Sequence, residues 1–179
     1  MSAPFDRLDP PAARPVPPGE FPFWDEALAM VNRDLAATLP EREPLRLLAH
    51  RSWGEGEGEG EGEGEGEGDG GREDVTVALA DGEWHGNPLR PESAQSLALA
   101  LAAVVDAAQE TVTERLWQAW PPCVEHDLGM HPRAEQGRLF WWCAGGRTRS
   151  GAGHLSAAVG ELDGLARSRR PGGKRRRRG

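Results

Sequence analysis

Both cysteines of this 179-residue chain, and three of its five histidines, fall between positions 120 and 154. Cys123 and His126 stand in C-x-x-H spacing, which puts a thiol and an imidazole on one tight turn, with Pro121 and Pro122 stiffening the approach. Cys143 and His154 follow, separated by the Gly-rich stretch 144–153. Zinc takes four nitrogen or sulfur ligands in a tetrahedron, commonly as two pairs from separate turns. Cys123, His126, Cys143 and His154 supply such a set, and His131 competes for the fourth place. A disulfide between the two cysteines, or plain packing of thiols beside tryptophans, would use the same residues without a metal. Four ligands flanked by Trp120, Trp141 and Trp142 suit a closed structural site. A catalytic metal would need an open position and a nearby base. Glu125 is adjacent, but no H-E-x-x-H or comparable helix-borne signature occurs.

The elements that must position these ligands follow from local pattern. Residues 130–135 and 138–142 read as a hairpin turning through Gln136 and Gly137, with Leu139 and Trp141 on one side and Phe140 and Trp142 on the other. The second strand delivers Cys143 at its end. His154 is expected to begin a helix whose apolar positions are Leu155, Ala158, Val159 and Leu162. A knuckle, a hairpin and a ligand at a helix start resemble the zinc-ribbon or treble-clef style of site, over residues 120–154 only. The second ligand pair is more widely spaced than in that pattern, so the intervening loop must fold back. The signature W-P-x-C-x-x-H, then W-x-C, then G-H and a segment ending Gly160-Glu161-Leu162, resembles a group of small actinobacterial proteins of uncharacterised function. That resemblance implies no particular activity.

Upstream lies an α+β body, residues 22–119. Trp24, Leu28, Val31, Leu35 and Leu39 recur at helical spacing, and Pro40 ends that helix. Residues 45–53 read as a strand with Leu45, Leu47 and Ala49 on one face; Val75, Val77 and Leu79 mark a second. Asp81-Gly82 signals a hairpin, with 83–87 as the return strand, giving a three-stranded antiparallel meander. From about position 92 to 117, Leu97, Leu101, Val104, Val105, Ala108, Val112 and Leu116 form one face of a long amphipathic helix. The ligand-bearing lobe, 120–166, is expected to pack on that helix through Trp120, Trp141 and Trp142. Trp53 and Trp84, with His50 and His85 nearby, would form an aromatic patch on the sheet, more simply explained by packing than by ligand binding.

Composition bounds the rest. Residues 1–21 are a Pro-rich leader expected to be disordered, and 54–71 is nearly pure Gly-Glu, which cannot offset its ordering entropy. One Lys against twenty Arg, with no Ile or Tyr, points to a high-GC gene in which Gly-Glu repeats and Arg tails arise without selection. The formal charge of -8 hides an acidic repeat and a basic tail that offset each other. An acidic body excludes broad nucleic-acid binding; any such role would fall to the disordered tail 167–179, through basic residues between Arg167 and Arg178. No apolar run is long enough to span a bilayer, and the N-terminus carries no secretory pattern, so the expected location is cytoplasmic. The function expected from the sequence is that of a non-enzymatic protein with a structural zinc ion, acting through an unknown protein partner.

Overall fold

The computed structural model describes residues 13–51, 73–146 and 152–164. The leader before position 13, the Gly-Glu repeat with Trp53, and the basic tail lie outside the described residues. The described chain is α+β: two three-stranded antiparallel sheets with helices packed between and against them.

The first sheet runs β1 (Arg14–Pro15), β2 (Arg46–Arg51) and β3 (Glu73–Ala78), with β2 in the middle. It differs from the expected meander in its third strand. Residues 83–87 do not return as a strand. The Asp81-Gly82 turn forms, with the Leu79 N–H donating to Glu83 O at 2.8 Å, but only Leu89 then bridges back to Val75. The third strand is instead Arg14–Pro15, on the opposite edge beside β2, drawn from the Pro-rich leader, which is therefore ordered over this part. Proline is tolerated on an edge strand, where its missing N–H would face solvent. The adjacent Val16 N–H donates to Leu47 O at 3.1 Å, and Arg14 pairs across the sheet with Glu73.

Helix α1 (Pro22–Thr38) opens with proline at its first position, where no N–H is needed, and Asp25 accepts from the Gly19 N–H at 2.6 Å. Trp24, Ala27, Leu28, Val31 and Leu35 are buried at helical spacing. The long helix is split: a 3-10 stretch, Pro91–Gln95, precedes α2 (Leu97–Leu116). The break falls at Ser96, whose extended backbone and hydroxyl, accepting from the Leu99 N–H, cap the longer helix. Leu101, Val104, Val105, Ala108 and Val112 are buried, as their spacing predicts. Leu45, Leu47, Ala49, Val75 and Val77 meet the two helices from one face of the first sheet.

The second sheet, β4 (His131–Glu135), β5 (Arg138–Cys143) and β6 (His154–Ala158), has β5 in the middle. The hairpin through Gln136 and Gly137 forms as expected. The expected helix at His154 does not. Leu155, Ala158, Val159 and Leu162 do fit a helical stripe, but β5 presents a free edge that residues 154–158 satisfy as β6, Cys143 opposite His154. Trp120, Cys123, Met130, Trp141, Cys143, Val159 and Leu162 belong to the same core as Trp24, Val31 and Val104. The lobe thus shares one hydrophobic interior with the body.

β4 and β5 lie against α2, as expected, and the indole hydrogen bonds anchor the lobe to α1 as well. The Trp141 indole donates to Asp34 Oδ2 at 2.7 Å, and Trp120 donates to Thr38 Oγ1 at 2.8 Å, with the two rings meeting edge to face. Trp142 is half-buried beneath Arg133 and takes no part in this anchor. Indoles bury well only when their N–H finds an acceptor, and those acceptors sit on the last turns of α1. Among the described residues no helix is long and apolar enough to cross a membrane.

Candidate metal centre

The knuckle is shaped by backbone bonds that close it on itself. The Cys123 N–H donates to Leu128 O at 2.7 Å, Asp127 N–H to Cys123 O at 2.8 Å, and Met130 N–H to Pro121 O at 2.8 Å. Asp127 takes a left-handed φ of 54°, a conformation that Asp tolerates better than most residues. Helix α2 holds both arms: the Gln109 amide donates to Trp120 O at 2.7 Å and to Met130 O at 2.5 Å. The closed turn sets Cys123 Sγ 3.7 Å from His126 Nδ1.

β5 and β6 bring the other two residues. Cys143 and His154 are directly opposed, and directly opposed residues of an antiparallel pair project to the same face. His154 Nε2 lies 3.7 Å from Cys123 Sγ, and Cys143 Sγ lies 3.5 Å from His126 Nδ1. The ligand atoms of Cys123, His126 and His154 all fall within 4.8 Å of one another, and Cys143, outside that group of three, adjoins it through His126. Both cysteines are free thiols and both are buried; the histidines are half-buried. Burial pushes the Cys143 thiol pKa up, the neighbouring Cys123 adds to the rise, and the Gly145 N–H, donating to Cys143 Sγ at 3.4 Å, opposes it.

Two supports of this geometry carry no metal-ligand signature in sequence. Gly153, just before His154, lets the chain pass close to β5: a Cβ there would meet Trp142 Cζ2 at 2.9 Å and the Cys143 carbonyl at 3.1 Å. Asp34 is fully buried and accepts from three N–H groups of the lobe: Trp141 Nε1, Gly160 N at 2.6 Å and Leu162 N at 2.9 Å. Burial raises the Asp34 pKa above the ordinary carboxylate value while those three donors hold it down. An acid three positions after Val31, on the apolar face of an otherwise regular helix, is the one trace of this role in the sequence.

His131 is exposed at the start of β4, opposite Trp142, and is not among the converging residues. Glu125 reaches to 3.9 Å from His154 Nε2. On the first sheet His50 stacks on Trp84 with ring centres 5.1 Å apart, and its Nε2 is buried without a hydrogen-bond partner among the described residues. His85 instead faces Glu110 at 4.0 Å. Comparison with protein-family models, with curated proteins and with solved structures found no match.

Proposed function

We propose that Cys123, His126, Cys143 and His154 hold one zinc ion as a structural staple, in a non-enzymatic protein that works through contacts with another protein. One observation carries the metal reading. Bond lengths of about 2.3 Å to sulfur and about 2.0 Å to nitrogen place neighbouring tetrahedral ligands about 3.5 Å apart. The sulfur-to-nitrogen separations here are 3.7, 3.7 and 3.5 Å. A mixed thiolate and imidazole set suits zinc and disfavours magnesium or calcium, which take oxygen. The Gly145 N–H directed at Cys143 Sγ is the kind of outer hydrogen bond that orients a ligating sulfur.

A structural role follows from the donor count: four ligands fill a tetrahedron. The contact surface would be the rim of the knuckle, where Val124 is 63% and Leu128 42% exposed, with Trp117 at the end of α2 89% exposed. Apolar side chains this exposed beside a rigid turn are what a protein partner buries. Glu125 beside His154 favours a second reading, a metal-dependent enzyme with Glu125 as base. Cobalt substitution separates the two. A four-coordinate thiolate-imidazole spectrum, unchanged by small anions, supports the staple, whereas a spectrum that shifts as anions bind shows an open catalytic position. Cys123→Ala and Cys143→Ala should destabilise the protein to a similar degree; variants that melt like the parent would sink the ligand assignment.

A further inference from the structure

We propose that Cys123 and Cys143 form a thiol switch, in which a hydroperoxide converts the zinc-bound pair into an intramolecular disulfide and expels the metal. The inference rests on the zinc reading above and concerns how that site is regulated. Its basis is the placement of the two sulfurs. They flank a single atom, His126 Nδ1, at 3.7 and 3.5 Å. One rides on the knuckle and the other on the last residue of β5, so a bond between them would tie together two of the three elements that the metal ties, leaving out β6 with His154. A disulfide needs its sulfurs about 2.05 Å apart, so both side chains must turn from His126 towards each other. The pair encloses residues 124–142, so the covalent link would remove loop-closure entropy from the unfolded chain and keep the lobe closed without metal.

The chemistry balances without further reactants. Ligation keeps both sulfurs as thiolates, the nucleophilic form. One sulfur attacks a peroxide oxygen: an S–O bond forms, the O–O bond breaks, and the departing oxygen takes a proton from solvent. The second sulfur then attacks the resulting sulfenic sulfur. The S–S bond forms, the S–O bond breaks, and hydroxide leaves with a proton as water. Two electrons pass from the sulfur pair to the peroxide. Zinc retains only His126 and His154 and leaves as the hydrated ion. The two imidazoles, whose ring centres are 5.3 Å apart, are then freed beside the exposed Val124 and Leu128. Oxidation would therefore alter the same rim that the proposed function assigns to partner contact.

The test uses the full chain loaded with zinc and titrated with hydrogen peroxide, following zinc release with a chromogenic chelator and thiol loss by peptide mapping. The expected result is one zinc released for each pair of thiols lost. Mapping would find a Cys123–Cys143 disulfide, and dithiothreitol would restore both thiols and zinc binding. A chain that binds zinc but gives sulfinic or sulfonic acids, or disulfides between chains, overturns the switch and leaves the metal site standing. A reduced chain that binds no zinc removes the metal site and the switch with it. Peroxide treatment of that metal-free protein would still report whether the two sulfurs can join.

Discussion

Asp34→Asn tests how the body holds the metal lobe. Asp34 Oδ2 accepts from Trp141 Nε1 at 2.7 Å and Gly160 N at 2.6 Å, while Oδ1 accepts from Leu162 N at 2.9 Å, all in a fully buried position. Asparagine has one acceptor oxygen. In its better orientation that oxygen keeps Trp141 and Gly160, and its NH2 is driven against the Leu162 N–H. Two buried donors then face each other unpaired, at about 1–3 kcal/mol each. Relief of the carboxylate's own burial, seen in its raised pKa, offsets part of that loss. The net expectation is destabilisation of about 2–3 kcal/mol in urea unfolding. The sign of its pH dependence is fixed. A folded-state pKa above the unfolded value means the folded protein binds the proton more tightly. The stability that Asp34 contributes is then fully present below the unfolded value, about 3.9, and declines as pH rises through the folded one. The gap between parent and Asp34→Asn should therefore narrow with rising pH. Asp34→Ala removes the acceptor altogether and Trp141→Phe removes one of its three donors, so the costs of these two changes should overlap by about 1 kcal/mol in a double-mutant cycle. A variant that melts with the parent, or two costs that simply add, would refute the claim that this carboxylate clamps the lobe.

Further outcomes can be checked alongside it. Gln109→Leu leaves the Trp120 and Met130 carbonyls without their shared donor, so zinc affinity should fall with a stability loss of about 1–3 kcal/mol; titration against a competing chelator reads the first. Gly153→Ala drives a methyl into Trp142 and the Cys143 carbonyl, and should weaken zinc binding more than Gly137→Ala, where a Cβ meets nothing within 4 Å, once thermal unfolding has separated backbone strain from site disruption. Trp120→Phe loses the bond to Thr38 while keeping most of the packing, and should lower stability by about 1 kcal/mol in the same unfolding assay. His131→Ala should leave zinc content unchanged, since its side chain is exposed outside the converging group; a loss of metal would restore it as a ligand.

Periodicity carried the sequence reading where burial is one-sided. Trp24, Val31 and Leu35 on α1, and Val104, Ala108 and Val112 on α2, fall where helical spacing puts them. So does the β4–β5 hairpin, because Gln136-Gly137 supplies the left-handed turn. The readings that changed depend on partners distant in sequence. Leu155, Ala158, Val159 and Leu162 fit a helix stripe, yet β5 had one unsatisfied edge and 154–158 filled it. Arg14–Pro15 carries too little pattern to be read as a strand until the edge of β2 is known to be free beside it. Likewise C-x-x-H spacing made Cys123 and His126 legible, whereas the convergence of His154 on Cys123 required the β5–β6 register. Asp34 and Gln109 look like ordinary polar residues in isolation. Their roles exist only because the chain brings Trp141, Gly160 and Met130 to them.

The most direct measurement is the metal content of the untagged, reduced protein by elemental mass spectrometry, before and after blocking its thiols with a cysteine-selective reagent. The account predicts close to one zinc per chain, lost when Cys123 and Cys143 are modified. A protein free of zinc, with two thiols that react without releasing any metal, would contradict it and leave the two cysteines as ordinary members of the core.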